Sequence, residues 1–216
     1  MGAPQIKRNL QARVIHLLVD EPIPKLEEIF AITDPRAAQA AFSMSNLFDQ
    51  AISSDLRFNM QKAISLVKSQ PDMAFYNEIN QYFVRNDFEV ALIVQQMTDF
   101  LKNVIGVTVN VALVNQIYAA VADVFVNLNI QKEDAWIFWA KESGHQTTYR
   151  YNLLFAVQTP ETGQYVLGLP LGLTITIYRE YERVLFITIK DEISFTVHME
   201  GLKAGKLMSK VVLGLL

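Results

Sequence analysis

The 216-residue sequence predicts a single α+β domain in which helical hairpins cover a mostly antiparallel sheet. Apolar residues recur at helical spacing in the first part of the chain and at alternate positions after Asp134. Short polar segments separate the later runs, and strands joined so tightly must be antiparallel. No linker divides the chain, so we expect one domain over residues 1–216. Its parts are an arm (1–12), mainly helical hairpins (34–128), a long-stranded sheet (135–200) and a tail (204–216).

Composition narrows the classes of function. Hydrophobic residues make up 51% of the chain and charged residues 19%, which suits a chain with a substantial core. The formal net charge of -3 leaves no basic excess for phosphates, so nucleic acid is not an expected partner. Cysteine is absent, which excludes disulfides and thiolate chemistry.

The beginning of the chain lacks a secretory pattern. Residues 1–14 hold three cationic side chains and no apolar core segment. No signal peptide is therefore predicted, and three interpretations stay open: the chain stays inside the cell, leaves it by lysis, or is a processed product.

The first half predicts one strand and two helices. Branched residues at 13–19 favour a strand. Asp34 suits a helix N-cap with Pro35 in the first turn, and the apolar spacing continues to Phe48. Ser53 or Ser54 is expected to cap a second helix that ends near residue 69.

A second helical hairpin follows a region of one or two short strands at residues 75–84. Asp87 is expected to cap a long helix that Gly106 ends, and another helix spans residues 110–128. Residues 104–122 carry no charge and approach the length of a membrane span. Gly106 splits this run, however, which favours buried core helices.

Three long strands are predicted at residues 145–158, 165–177 and 183–199, because apolar side chains alternate there. The last run alternates over 17 residues, or about 56 Å at ~3.3 Å per residue, whereas roughly 9–11 residues cross a bilayer. The candidate membrane-contact side chains on these strands are Leu167, Leu169, Leu171, Leu173, Leu185, Ile187, Ile189, Ile193, Phe195 and Val197.

Two interpretations of these strands remain open. The apolar face could meet lipid, or it could be the core of a large bent sheet, which periodicity alone favours. Asp191 interrupts the last run and favours a bulge or a bend there. Trp136 and Trp139 likewise fit either an interfacial anchor or ordinary core.

No motif indicates catalysis. The nucleophile, zinc-protease, phosphate-loop and dinucleotide patterns are all missing from the sequence. His16, His145 and His198 lie far apart without ligand spacing. We therefore expect no enzymatic activity, no metal and no cofactor.

One segment carries a family resemblance. Residues 127–158, NLNIQKEDAWIFWAKESGHQTTYRYNLLFAVQ, resemble the core of the cytolytic (Cyt-type) delta-endotoxins of insect-pathogenic bacteria. Residues 183–203 resemble the family's last long strand, and residues 56–66 and 101–107 its helices. The resemblance spans roughly residues 13–203 in the same order.

This resemblance implies a three-layer α/β domain in which two helical hairpins flank a mostly antiparallel sheet. It also implies a toxin that binds membrane phospholipids with neutral headgroups, self-associates on the membrane and permeabilises it. Such a toxin would be made in the bacterial cytoplasm without a signal peptide, in solution or as an inclusion, and would act outside the cell on target-cell membranes. The helical layers would move away so that residues 149–157, 167–177 and 185–199 engage lipid. A homodimer in solution, the choice between pores and detergent-like action, and a non-lytic lipid- or glycan-binding protein of the same fold stay open.

Further residues follow from the resemblance. Family protoxins are cut near both ends, and trypsin-type sites occur here at Lys7, Arg8, Arg13, Lys203, Lys206 and Lys210. The charged positions that match family motifs, expected to serve lipid contact or assembly, are Lys141, Glu142, Glu182 and Lys203. The ends of this chain are shorter than those of family protoxins.

Overall fold

The computed structural model describes residues 23–106, 110–159 and 164–208. The strands are β1 (Glu27–Ala31), β2 (Met73–Glu89), β3 (Ile137–Ser143), β4 (Gln146–Gln158), β5 (Tyr165–Ile177) and β6 (Glu192–Leu207). The helices are α1 (Pro35–Asp49), α2 (Met60–Ser69), α3 (Val90–Ile105), α4 (Val111–Asp123), α5 (Leu128–Gln131) and α6 (Tyr181–Val184). The predicted strand at residues 13–19 lies outside the described residues.

One mixed sheet of six strands forms the centre of the domain. The strand order is β1–β4–β5–β6–β2, and β3 also pairs with β4. Only the β1–β4 pair among the described strands is parallel. β1 pairs with residues 153–157 of β4 and β3 with residues 146–151, so these two short strands share one edge of β4.

Two separate apolar cores explain the three layers. Leu153 and Phe155 of β4 belong to the core beneath α3 and α4. Leu154 and Ala156 belong to the core beneath α1 and α2. Successive side chains of a strand point to opposite faces, so both faces of the sheet are apolar where helices cover both. The structure confirms the predicted α/β fold with helical hairpins on a mostly antiparallel sheet.

The helix boundaries follow the capping residues. Asp34 accepts a hydrogen bond from the Arg36 amide and Pro35 opens α1, as predicted. Gly106 ends α3 in the left-handed conformation (φ 65°), and the Asn110 side chain caps α4. No described helix has both the length and the hydropathy needed to cross a membrane.

Two predicted helix starts are wrong. Helix α2 begins at Met60 with Asn59 as its cap, rather than at Ser53 or Ser54. Residues 53–58 form a loop in which Leu56 has a positive φ of 53°, a conformation that a helix excludes. Helix α3 begins at Val90, because Asp87 still belongs to β2 and also has a positive φ.

The sheet also differs from its prediction at two strands. Residues 75–84 belong to one strand of 17 residues, β2, which lies at the sheet edge with most side chains exposed. The last strand begins at Glu192 instead of 183 and continues to Leu207, so the predicted tail starts inside it. Residues 181–184 are helix α6, and Asp191 then accepts hydrogen bonds from the Thr188 amide and hydroxyl in a turn before β6.

Candidate membrane-contact region

The apolar side chains of β5 and β6 form a continuous buried face. Side chains at alternate positions of these strands share the core beneath α3 and α4: Leu169, Leu171, Leu173, Ile193, Phe195 and Val197. Leu167 is also buried, at 5% exposure. The strand registers place Leu173 beside Met199 and Ile175 beside Val197, so the face crosses both strands. The sequence thus identified a real apolar face, and its contact with lipid remains a proposal.

Three of the candidate side chains lie elsewhere. Leu185, Ile187 and Ile189 occupy the connection between α6 and β6 rather than a strand. Leu185 and Ile187 are buried in the core beneath α3 and α4, and Ile189 packs against it. Apolar residues at alternate positions are typical of a strand, but here they lie in a helical turn and a loop.

The α3–α4 hairpin covers the apolar face. It contributes fully buried side chains from both helices: Ile93, Val94, Met97 and Leu101 from α3, and Ile117 and Val121 from α4. Burying each such side chain stabilises the fold by about 1.5–3 kcal/mol. Removing the hairpin in water would expose both apolar surfaces to solvent, which opposes its release in water.

Hydrogen bonds from side chains of the sheet hold the C-terminal ends of both helices of this hairpin. The Lys203 ammonium donates to the carbonyls of Val104, at 3.0 Å, and Ile105, at 2.8 Å, at the end of α3. The Tyr149 hydroxyl donates to the Val124 carbonyl, at 2.6 Å, just beyond α4. Terminal helix carbonyls lack partners within the helix, so these two side chains satisfy groups that burial would otherwise penalise.

Two tyrosines of β4 have perturbed acidity. Burial raises the pKa of Tyr149 far above its ordinary value. Burial, followed by the charge of Glu27, also raises the pKa of Tyr151, whose hydroxyl donates to the Glu27 carboxylate at 2.6 Å. Both hydroxyls therefore stay protonated donors. Sequence analysis did not single them out as anchors, although two hydroxyls on an apolar strand face require buried partners.

The two tryptophans are partly buried rather than fully exposed. The Trp139 ring lies 5.0 Å from that of Tyr149 and 4.8 Å from that of Tyr181, and its Nε1 donates to the Lys132 carbonyl. Trp136 also packs against the core beneath α3 and α4. An anchoring role would require these rings to leave their contacts.

Three of the four charged positions that match family motifs lie near one another. Lys141 and Glu142 are exposed on β3, and Glu182 is exposed on α6. Burial and then the charges of Glu142 and Glu133 raise the pKa of Tyr181, which precedes Glu182. Lys203 lies apart from them, half-buried at the end of α3.

The predicted protease sites divide into two groups. Lys203 and Lys206 lie within β6, between β5 and β2, and Lys206 pairs with Asp72 at 2.6 Å. Because a protease needs an extended, unpaired segment, the fold disfavours cleavage at both positions. Lys7, Arg8, Arg13 and Lys210 lie outside the described residues and remain predictions.

Among the described residues, no three His, Cys, Asp or Glu side chains lie close enough together to hold a metal ion. His145 follows β3 in the turn before β4, whereas His198 lies on β6, stacked on the Tyr82 ring. His16 lies outside the described residues.

Similarity to known proteins identifies the class of protein to which this layered fold belongs. Residues 6–214 match the model of the family described as Bacillus thuringiensis toxin. The chain belongs to this family.

The relatives within the family are cytolytic delta-endotoxins. The chain is 34% identical over 202 residues to a Type-1Ba cytolytic delta-endotoxin of Bacillus thuringiensis subsp. neoleoensis, covering 89% of this chain and 76% of the relative. It is 37% identical over 202 residues to a Type-1Aa cytolytic delta-endotoxin of subsp. morrisoni, covering 89% and 81%. These matches confirm the predicted resemblance of the chain to Cyt-type toxins.

Two solved structures share the fold. The activated Cyt2Ba monomer of Bacillus thuringiensis subsp. israelensis superposes with a TM-score of 0.81 at 30% identity, covering 86% of this chain and all of that one. A structure named delta-endotoxin superposes with a TM-score of 0.82 at 31% identity, covering 87% and 83%.

Proposed function

We propose that this cytolytic toxin permeabilises membranes by releasing the α3–α4 hairpin, so that β4, β5 and β6 engage lipid through their apolar face. The observation that carries the proposal is the continuous face of Leu169, Leu171, Leu173 and their neighbours, against which the α3–α4 hairpin packs with a side-chain anchor at the C-terminal end of each helix. Burial in lipid would replace the burial that the hairpin provides in water.

Strand length supports this mechanism. β4 and β5 have 13 residues each and β6 has 16, or about 43 and 53 Å at ~3.3 Å per residue. Roughly 9–11 tilted residues cross the apolar part of a bilayer. Each strand therefore has residues to spare at both ends.

Backbone pairing supports self-association. Lipid offers no hydrogen bonds to the backbone, so strands that enter it must remain paired. β5 is paired on both sides, whereas β2 is an edge strand along its whole length. Pairing between copies on the membrane would satisfy the remaining edges. A dimer in solution is a separate proposal, for which the described residues provide no argument.

The remaining parts of the proposal concern partners and processing. A formal net charge of -3 favours phospholipids with neutral headgroups over anionic lipids and nucleic acid. We propose cleavage near the ends, at the sites outside the described residues, and action on target-cell membranes after release from the producing bacterium. Insects are the proposed targets. Neither an enzymatic step nor a cofactor is part of this mechanism.

The test is calcein release from liposomes of phosphatidylcholine and phosphatidylethanolamine, with and without trypsin. Release after trypsin alone indicates a protoxin, and release without trypsin indicates a chain that is already active. If folded protein causes no release in either case, the proposed permeabilising function is wrong.

A second candidate function is binding to a glycan or lipid surface without lysis. On the sheet face opposite α3–α4, the part of the sheet beyond the core beneath α1 and α2 carries polar side chains. Thr148 and Thr176 share a hydrogen bond of 2.9 Å, and the Tyr82 ring stacks on His198 with centroids 4.0 Å apart. Hydroxyls and an exposed ring on the surface of a sheet suit such binding. Liposome or glycan binding without dye release would favour this candidate.

A further inference from the structure

A small polar hollow lies at one end of the sheet, where the β3–β4 turn meets the segment that connects β5 to β6. Its volume is about 150 Å³, and it is lined by His145, Tyr178, Arg179, Glu180 and Arg183. At a liquid share of about 30 Å³ per water molecule, the hollow holds the volume of about five waters. It therefore suits a small headgroup rather than a large ligand.

The side chains around the hollow do not neutralise one another. In the part of the chain that the structure describes, those of His145, Tyr178, Glu180 and Arg183 make no hydrogen bond or ion pair. Arg179 is held differently, because its guanidinium donates to the Glu192 carbonyl at 2.5 Å and lies 3.7 Å from Asp191. Four exposed polar side chains thus line one space without a protein partner among the described residues.

The lining combines groups for both signs of charge. Two guanidinium groups and an imidazole can bind a phosphate, and arginine does so with charge-assisted bonds. The Glu180 carboxylate and the Tyr178 ring, which is 52% exposed, can bind a cationic amine. An aromatic face beside an acidic group is a common receptor for quaternary ammonium. A lone phosphate would leave the acidic and aromatic parts unused.

We propose that this hollow binds the zwitterionic headgroup of a phospholipid, a phosphate ester of an amino alcohol such as phosphocholine. Arg183 and Arg179 bind the phosphate, and Tyr178 with Glu180 binds the ammonium group. The proposal rests on the proposed membrane function and deepens it, because it assigns the first contact with a neutral bilayer to this end of the sheet. Phe186, which is 67% exposed, follows Arg183 on the same connecting segment.

The test is a titration of the full chain with soluble phosphocholine, followed by backbone amide NMR shifts, with inorganic phosphate and choline as separate probes. We expect saturable shifts at residues 144–146 and 178–183, with a dissociation constant on the order of millimolar. Phosphocholine should bind at least about fivefold more tightly than either fragment. Absence of saturable shifts, or equal binding of phosphate, would overturn the assignment.

Three variants make the test specific. Arg183→Gln should weaken phosphocholine binding about fivefold or more, and the matched control Arg57→Gln, on the exposed loop before α2, should leave it unchanged. Tyr178→Ala should remove the preference for phosphocholine over phosphate. Because Arg183 and Tyr178 are exposed, the melting temperatures should stay within about 2 °C of wild type. Wild-type binding by Arg183→Gln would contradict the site.

Liposome measurements separate this proposal from the permeabilising function. Arg183→Gln should bind phosphatidylcholine vesicles more weakly than wild type in a flotation assay, and free phosphocholine should compete with wild type. Dye release without any phosphocholine binding would refute the hollow and leave lysis standing. Phosphocholine binding without dye release would refute lysis and leave the hollow standing.

Discussion

Lys203 lies where the sheet meets the α3–α4 hairpin. Its ammonium satisfies two carbonyls at the end of α3, and the cation is favourable at the negative end of the helix. Sequence analysis selected this residue by resemblance and expected it to serve lipid contact or assembly. The structure gives it a role in holding the covered state together, which no sequence pattern could indicate because its partners lie about a hundred residues away.

Replacing this lysine tests that role. Lys203→Met keeps the apolar stem and removes the charged donor, which should lower the free energy of unfolding by about 1.5–3 kcal/mol. Lys203→Arg, which keeps a donor, should lose less. Urea unfolding measures both variants, and a loss below about 0.5 kcal/mol for Lys203→Met would show that the contact contributes little.

The buried tyrosines predict how stability depends on pH. Burial raises the pKa of Tyr149 above its value of about 10 in the unfolded chain, so the unfolded chain loses this proton first. The contribution of Tyr149 to stability is therefore complete below about pH 10 and falls as pH rises beyond it, by about 1.4 kcal/mol per pH unit.

Urea unfolding between pH 9 and pH 11.5 checks this expectation. Tyr149→Phe should flatten the fall in stability, and Tyr82→Phe, at a position 58% exposed, should leave it unchanged. If stability falls with pH at the same slope in Tyr149→Phe and in wild type, the pKa of Tyr149 is not raised in the folded protein.

Single glycines decide how closely the strands pack. A Cβ at Gly201 would lie 2.3 Å from the Pro170 backbone oxygen on the neighbouring strand. A Cβ at Gly168 would meet the Met44 methyl group at a similar distance. The first obstacle is backbone that the sheet fixes, and the second is the end of a flexible side chain that can turn away.

The two substitutions should therefore differ. Gly201→Ala should destabilise the fold by about 1–3 kcal/mol, and Gly168→Ala should cost clearly less. Denaturant midpoints of the two variants provide the measurement. Equal losses of stability would mean that the strands move apart at Gly201 as easily as the Met44 side chain turns away from Gly168.

At the scale of elements, local signals predicted much of the fold. Asp34, Gly106 and Asn110 fixed three helix ends because caps act within a few residues. β5 was predicted with its observed bounds because turns flank its alternating run. The start of β6 was predicted too early. Leu185 and Ile187 lie in a helical turn and a loop, and both are buried in one core, so their alternate spacing is the same as that of a strand.

At the scale of the whole molecule, the proposed mechanism requires one apolar face to serve two environments. In the folded protein Leu171 and Phe195 pack beneath α3 and α4, and in the proposed membrane state they meet lipid. The sequence predicted the face, but neither the anchors Lys203 and Tyr149 nor the polar hollow. Those sites join residues that are distant along the chain, so their geometry exists only after folding.

The most direct test of hairpin release is a disulfide that ties α4 to the neighbouring strand β1. The chain has no native cysteine, so an introduced pair with Cα atoms about 4.4–6.8 Å apart forms the only bridge. A pair that joins α3 to α4 within the hairpin is the matched control, because it leaves the hairpin free to leave the sheet.

Calcein release from phosphatidylcholine and phosphatidylethanolamine liposomes is then compared before and after reduction. We predict that the oxidised α4–β1 variant binds liposomes without releasing dye, that reduction restores release, and that the α3–α4 control releases dye in both states. Full release by the oxidised α4–β1 variant, with the bridge verified as formed, would contradict hairpin displacement as the route to the membrane.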